Sequence, residues 1–300
     1  MNEQDKKDFF EAGRIAAEAR ELARKLIKPN TKVIDVLNQV EDFIKENKAQ
    51  IAFPAQSSIN QAAAHYCSGP EDETKYQEGQ IVKIDLGVHI NGWVADNAST
   101  VDLSEDNKYK KLIEASKSAV EKAIELVKPG IAVCKLGEVI EETIKKAGFK
   151  PVRNLSGHGI GKFTIHSKPS IPNYNNDDQY KLKAGETIAI EPFASTGSGI
   201  VDEKGQAEVF MVVNKRQVRN IITRQVLKEI NKYEGLPFTT RWLTKTFSLP
   251  KVKLALNDLL KEKIIRAYPP LLDTDQGMIS QHEDSLLVTE DGCEVSTKLQ

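Results

Sequence analysis

The amino-acid sequence predicts an α+β fold made of two related halves. Residues 26–45 match residues 126–145 without a gap, and a Lys-Pro turn stands at the same register in both copies. A helix rich in Ala, Glu and Lys precedes each turn, apolar residues at helical spacing follow it, and strand-like segments come next. Chance similarity between two amphipathic helix pairs is the alternative, but it explains the shared register of the turn poorly. Related halves are expected to pack about a pseudo-twofold axis, with a site between them.

The strands of the first half contain a hairpin centred on Asn91-Gly92. This dipeptide favours a type I′ turn, because both central residues of that turn need positive φ. A turn there pairs Gly87 with Asp96 and Asp85 with Ala98. Side chains alternate along a strand, so these four residues share one face. The opposite face of the first strand is predicted to be core, and it carries Val82, Ile84, Leu86 and Val88.

The two hairpin carboxylates predict a metal platform. Asp85 and Asp96 aim at one spot and repel each other unless a cation or a proton lies between them. Their cross-strand partners, Gly87 and Ala98, are small enough to leave room for an ion. A solvated strand face is the alternative interpretation.

Composition restricts the class of protein and its compartment. The 300 residues carry a net charge of −1, so the net charge of the protein does not attract nucleic acid or an anionic membrane. The three cysteines are far apart and odd in number, which fits a reducing cytosol better than a disulfide framework. The charged start and the absence of a run of 18 apolar residues argue against a signal peptide or a membrane span. We therefore expect a cytoplasmic protein that binds neither DNA nor a membrane.

The second half offers three further site residues. His158 lies between glycines, where backbone can approach closely. Glu191 ends an apolar strand and precedes a strand-stopping proline, and Glu283 stands at the entrance of another apolar strand. An unpaired glutamate beside an apolar strand is costly to bury, so both acids are expected to have partners.

Together these residues resemble the type II methionine aminopeptidases, members of the pita-bread metallopeptidase superfamily, over nearly the whole chain. The resemblance implies the pita-bread fold, in which pseudo-twofold related halves surround a curved antiparallel sheet. It assigns residues 1–212 and 273–300 to the catalytic domain. It also implies a helical, winged-helix-like insertion over 213–272, which includes Arg241-Trp242-Leu243.

The resemblance also implies a set of metal ligands. The family pattern maps onto Asp85, Asp96, His158, Glu191 and Glu283. Asp96 and Glu283 are then expected to bridge two divalent ions, with Asp85 on one ion and His158 and Glu191 on the other. Cobalt, manganese, iron and zinc all suit such ligands.

The implied reaction removes the N-terminal methionine of nascent proteins. A hydroxide that bridges the two ions attacks the first peptide bond, and Glu191 relays the proton. His166 contacts the substrate carbonyl, and His65 acts near the scissile nitrogen. The implied methionine pocket is formed by Phe53, Ile165 and Tyr268. His89 and His282 have no matching role and are interpreted as ordinary hydrogen-bonded histidines.

Two other functions remain compatible with the sequence. A proline-specific aminopeptidase is disfavoured by the insertion and by a catalytic-domain helix that begins close to Met1. A non-enzymatic, RNA-associated pita-bread protein is disfavoured by the complete ligand set. The basic stretch from 213 to 232 is interpreted as a solvated helix face, with a ribosomal RNA contact as the alternative. The family default is a monomer.

The segment from Gly157 to Phe163 superficially resembles a phosphate loop. That motif needs a glycine at 156 and Ser or Thr at 163, whereas Ser156 and Phe163 stand there. Nucleotide binding is therefore not expected.

Overall fold

The computed structural model describes residues 1–299, in which a pair of helices leads into antiparallel strands twice. The first half consists of α1 (Glu3–Leu26), α2 (Val33–Glu46), β1 (Gln50–Ile59), β2 (Ala62–Ala64), β3 (Ile81–Ile90) and β4 (Trp93–Asp102). The second half begins with α3 (Lys110–Leu126), α4 (Val133–Lys146), β5 (Lys150–Pro151), β6 (Ser156–Gly161), β7 (Thr164–Pro172), β8 (Thr187–Ile190), β9 (Phe193–Ser195) and β10 (Val201–Glu203).

The remaining elements form the region of the predicted insertion and the return to the second half. The insertion region contains β11 (Val209–Val212), α5 (Ile221–Ile230), a 3-10 helix (Asn231–Tyr233), β12 (Phe238–Thr239), α6 (Thr240–Leu243), α7 (Leu249–Lys261) and β13 (Ile265–Tyr268). The chain then returns through β14 (Leu271–Asp273), β15 (Ile279–Gln281), β16 (Asp284–Val288) and β17 (Cys293–Val295).

The sequence repeat corresponds to a repeat of local geometry. The helices α2 and α4 begin at equivalent positions, and the amide of the first residue is bonded in the same way in each. Val33 N donates to Thr74 O at 2.9 Å, and Val133 N donates to Tyr180 O at 2.9 Å. The two related halves predicted from the Lys-Pro register are therefore confirmed.

The predicted hairpin forms with the predicted register. Asn91 has a φ of 50° and Gly92 a φ of 90°, as a type I′ turn requires. Asp85 pairs with Ala98, and Gly87 pairs with Asp96. The side chains predicted to form the opposite, core face of β3 are all fully buried: Val82, Ile84, Leu86 and Val88.

Each half has its own hydrophobic core. In the first, α1 and α2 pack against β3, and in the second, α3 and α4 pack against β8 and β16. The strand order is β1-β3-β4 in the first sheet and β17-β16-β8-β6-β7 in the second. A backbone bridge from Ala98 to Glu283 joins β4 of one half to the segment before β16 of the other.

The insertion region has a third core, formed mainly by α5, α6, α7 and β13. Its sheet also contains β11, which precedes the predicted start at 213, so the domain bounds 213–272 stay a prediction. The Arg241 guanidinium anchors α6 to α2 through two contacts of 2.7 Å with the Glu41 carboxylate. Trp242 Nε1 also donates to this carboxylate, at 2.8 Å. The tryptophan and arginine that the resemblance singles out thus fix the insertion to the first half.

Among residues 1–299, no helix combines the length and the apolar composition that crossing a membrane requires.

Candidate metal centre and active site

A cavity of about 280 Å³ opens where the two halves and the insertion region meet. Nearly all of the residues predicted for the site line it. The predicted residues in its wall are Phe53, His65, Asp85, Asp96, His158, Ile165, His166, Glu191 and Tyr268.

The five predicted ligands come together in two overlapping groups. Ligand atoms of Asp96, His158 and Glu283 lie within 4.8 Å of one another, and so do those of Asp85, Glu191 and Glu283. His158 Nε2 is 3.9 Å from Asp96 Oδ2 and 3.9 Å from Glu283 Oε1. Glu283 belongs to both groups, whereas Asp96 belongs to one. The bridging role expected of Asp96 therefore stays a prediction.

The contact between the two halves fixes Asp96 opposite Glu283. Glu283 N donates to Ala98 O at 3.1 Å, and Ala98 N donates to Glu283 O at 3.3 Å. Two residues further along, the Ser285 hydroxyl takes the place of a backbone group. It donates to Asp96 O at 2.7 Å and accepts from Asp96 N at 2.8 Å. Ligands from distant parts of the chain are thereby held on one rigid strand junction.

Glycines position His158 on β6. An added Cβ at Gly157 would collide with Ala189 O of β8, and one at Gly159 would collide with Lys168 O of β7. The two glycines therefore let β6 lie close between its neighbours, as expected from the sequence. The segment from Gly157 to Gly161 is part of this strand rather than a phosphate loop.

Burial and mutual repulsion make the carboxylates hard to ionise. Burial, and then the charge of Asp85, raises the pKa of Asp96 well above its ordinary value. Burial, with Asp85 and Asp96 nearby, does the same to the pKa of Glu191. Burial and the Asp96 charge raise the pKa of Glu283. The pKa of Asp85 rises to about 7 through burial.

The free ligand atoms fit a divalent cation. Within the described residues, Asp85 Oδ1, Asp96 Oδ1 and Glu283 Oε1 are buried without a hydrogen-bond partner. Clustered carboxylates in a buried site either hold protons or share a cation. Carboxylate oxygens with one imidazole are a donor set that divalent metals accept. The cluster therefore suits divalent metal binding.

His65 also lines the cavity, and its backbone lies in the left-handed region with a φ of 67°. Its N–H donates to Gln56 Oε1 at 2.6 Å, and its ring meets the Tyr268 ring edge-on at 5.7 Å. Burial lowers the pKa of His65 to about 4, so its imidazole is neutral at pH 7.

His166 lies on the same side of the cavity as the metal-ligand cluster. Its ring centroid is 4.2 Å from that of His158, and the residue is exposed to solvent. The two remaining histidines make polar contacts and are not part of the cavity wall. His89 Nδ1 accepts from Gly92 N in the hairpin turn, and His282 Nδ1 lies 2.9 Å from Ser116 Oγ.

The predicted pocket residues belong to an apolar wall of the cavity. Phe53 and Ile165 pack in one small cluster with Ala52, Val94 and Leu236. The Phe53 ring also covers Gly87, where an added Cβ would collide with it. The interpretation that Gly87 leaves room for an ion is therefore wrong, because the space is filled by Phe53.

Sequence reasoning missed several polar residues of the site: Gln56, Asn154 and Ser156 in the cavity wall, and Gln281 beside the ligands. The Gln281 amide Nε2 donates to Glu191 Oε1 at 2.7 Å and lies 3.3 Å from Asp85 Oδ2. Strand alternation could have indicated Gln281 as a site residue, since a residue two positions before Glu283 is expected on the same face of the strand. Leu236 was also missed, because no local pattern connects the insertion region to the pocket.

Comparison with known proteins agrees with this site. The sequence profile of metallopeptidase family M24 matches residues 7–290. A methionine aminopeptidase from Archaeoglobus fulgidus is 40% identical over 299 residues, which cover 99% of this chain and 100% of that protein. The crystal structure of a methionine aminopeptidase from Thermotoga maritima gives a TM-score of 0.74 at 25% identity, over 99% of this chain and 98% of that chain. A thermophilic Arx1 gives a TM-score of 0.88 at 18% identity, over 99% and 91% of the two chains, which is a likeness of fold alone.

The pita-bread fold implied by the sequence is thus confirmed. The family profile covers most of the chain, and a relative at 40% identity matches it along nearly its whole length. The chain therefore belongs to metallopeptidase family M24.

Proposed function

We propose that this protein is a metal-dependent aminopeptidase that removes the N-terminal methionine from nascent proteins. The observation that carries the proposal is the cluster of four carboxylates and one imidazole beside an apolar pocket. A peptide enters such a site with its first side chain in the pocket and its first peptide bond near the ligands. The name of the full-length relative at 40% identity supports methionine as that side chain.

We propose two divalent ions held by Asp85, Asp96, His158, Glu191 and Glu283. The two ligand groups that share Glu283 support this number. Bound ions would polarise the substrate carbonyl and lower the pKa of a coordinated water toward neutrality. Cobalt, manganese, iron and zinc remain candidates, and elemental analysis of protein purified without added metal tests both number and identity.

The remaining chemistry falls to side chains around the cluster. Glu191, whose carboxylate lies at the cavity wall, accepts the proton of the attacking water and passes it to the leaving amine. His166 donates a hydrogen bond to the carbonyl oxygen as negative charge develops there. His65, which also lines the cavity, assists at the scissile nitrogen. Phe53, Ile165 and Tyr268 enclose the methionine side chain.

Peptide specificity separates this proposal from its rivals. Metal-loaded protein is incubated with Met-Ala-Ser and with Ala-Pro peptides, and free amino acids are quantified. We expect methionine release from the first peptide and no release from the second. Cleavage of Ala-Pro alone would identify a proline-specific aminopeptidase, and cleavage of neither would favour a non-enzymatic protein. Because nascent chains arise where ribosomes work, we place the reaction in the cytoplasm, with the enzyme acting as a monomer.

A ribosome contact is a second proposal, favoured by the charge of the insertion region. Six cationic residues on and around α5 are exposed. Of these six, only Lys232 forms an ion pair with another described residue, Glu229, at 2.7 Å. The others are Lys215, Arg216, Arg219, Arg224 and Lys228. Phosphate contacts of this kind weaken as salt rises. Cosedimentation with ribosomes at low and high salt, with the double variant Arg224→Glu and Lys228→Glu for comparison, tests the contact.

A further inference from the structure

The amide of Gln281 lies fully buried between carboxylates contributed by both halves of the molecule. Its Nε2 donates to Glu191 Oε1 at 2.7 Å and to Asp85 Oδ2 at 3.3 Å. Asp85 lies on β3 of the first half, whereas Glu191 follows β8 of the second. One side chain therefore connects two ligand carboxylates that come from different halves of the molecule.

The backbone of Gln281 is held on the first half by a side-chain hydroxyl. Thr100 Oγ1 accepts from Gln281 N at 2.9 Å and donates to Gln281 O at 2.7 Å. On its other side, Gln281 pairs with Phe193 of β9. The position of the amide is therefore fixed by both halves before any ligand binds.

A primary amide suits this position for a chemical reason. Its nitrogen carries two N–H donors, so it can satisfy one oxygen of each of two carboxylates without adding charge. Asp85 keeps its second oxygen, Oδ1, buried and free of hydrogen bonds from the described residues. A carboxylate or an apolar side chain in place of the amide would leave both acceptors without these donors.

We propose that Gln281 is a positioning residue for metal binding, which orients Asp85 and Glu191 so that their free oxygens face the ions. The inference rests on the metal site of the proposed function, but it needs no peptide substrate. Residues that hydrogen-bond to ligands typically contribute about 10- to 100-fold to metal affinity or activity. Gln281 contacts two members of the ligand group formed by Asp85, Glu191 and Glu283, so its loss weakens metal binding there.

Calorimetric titration of chelator-treated protein with Mn²⁺ tests the proposal. Gln281→Met keeps the side-chain volume but removes both donors, and we expect about 10- to 100-fold weaker binding. Gln281→Glu keeps the shape but cannot donate to its neighbours when ionised, and its charge repels them, so weaker binding is expected again. The matched control is Thr223→Val, which removes a buried hydrogen bond of 2.7 Å to Asp258 in the insertion region. This control should bind Mn²⁺ as the wild type does.

Each outcome decides the question. Mn²⁺ affinity within about 2-fold of wild type in Gln281→Met, with a cooperative thermal transition as evidence of folding, would overturn the positioning role. Tighter binding by Gln281→Glu would also overturn it, because position 281 would then supply a ligand. If Gln281→Met is unfolded, Gln281→Glu decides alone. A wild-type protein that binds Mn²⁺ but leaves Met-Ala-Ser intact would refute the proposed function and leave this inference standing.

Discussion

The Asp85→Asn variant offers a quantitative test of the buried carboxylate cluster in protein freed of metal. Asp85 is 8% exposed, and burial raises its pKa from 3.8 to about 7. The folded protein therefore keeps a proton that the unfolded chain releases between about pH 4 and pH 7. Because the native state binds more protons across this window, its stability falls as the pH rises through it. An asparagine at this position does not titrate, so the variant does not lose this stability as the pH rises.

The size of the effect follows from the pKa difference. A change from 3.8 to about 7 corresponds to about 4 kcal/mol, at roughly 1.4 kcal/mol per pKa unit. Buried histidines act in the opposite direction: burial lowers the pKa of His158 to about 3 and that of His65 to about 4. Their contribution to stability is lost as the pH falls, but both proteins contain them, so they cancel in the difference. Asp85→Asn also removes the charge that raises the pKa of Asp96 and Glu191, so the free energy of unfolding of the variant should rise by at least about 4 kcal/mol relative to the wild type between about pH 4 and pH 8.

Urea unfolding with a chelator present, followed by tryptophan fluorescence at several pH values, measures this difference. Its midpoints convert to free energies of unfolding for both proteins. A wild-type to variant difference that stays constant within about 1 kcal/mol across the range would refute the assigned environment of Asp85. With Mn²⁺ added, the advantage of the variant should shrink, since a ligand at about 100 times its dissociation constant stabilises the protein that binds it by about 2.7 kcal/mol.

Three further substitutions test the site and its support. Glu191→Ala should lower methionine release by about 100-fold or more while leaving the circular dichroism spectrum unchanged; near-native release with metal present would remove Glu191 from the mechanism. His65→Ala should keep its metals but lose most activity. The resemblance to the type II class implies that a fumagillin-type epoxide alkylates His65, so intact-mass spectrometry should show a single adduct on the wild type and none on this variant. An adduct mapped to His166 would show that the two histidine roles are exchanged. Arg241→Ala leaves Glu41 charged and buried without its partner, at a cost of about 3–5 kcal/mol in the free energy of unfolding. A loss below about 1 kcal/mol would mean that water replaces the ion pair.

Much of the fold is encoded in short local patterns of the sequence. Asn91-Gly92 predicted the turn, and the turn fixed the register that pairs Asp85 with Ala98. The repeated Lys-Pro register predicted a helix after each turn, and these helices begin at the equivalent residues Val33 and Val133. These features depend on only a few neighbouring residues, where φ preference and side-chain periodicity act directly.

Family resemblance extended the prediction to residues far apart in the chain. It grouped Glu283 with the hairpin aspartates, although nothing in its local sequence indicates which strand it faces. In the structure, a backbone bridge to Ala98 brings Glu283 there. The resemblance assigned residue types to one site, but not the hydrogen bonds that hold them.

Only the tertiary structure decided how equivalent positions of the two halves differ. Glu41 and Glu141 are identical in the repeat, yet Glu41 is 1% exposed and holds Arg241 of the insertion region, whereas Glu141 pairs with Lys145 on the same helix. Position 87 has no room for a side chain, because Phe53 packs over it. Gln281 contributes to the site because its amide hydrogen-bonds to carboxylates from both halves. The sequence by itself determined the turns, the repeat and the residue types of the site. Contacts between distant segments depend on how the halves and the insertion pack together, and neither side-chain periodicity nor turn propensity carries that information.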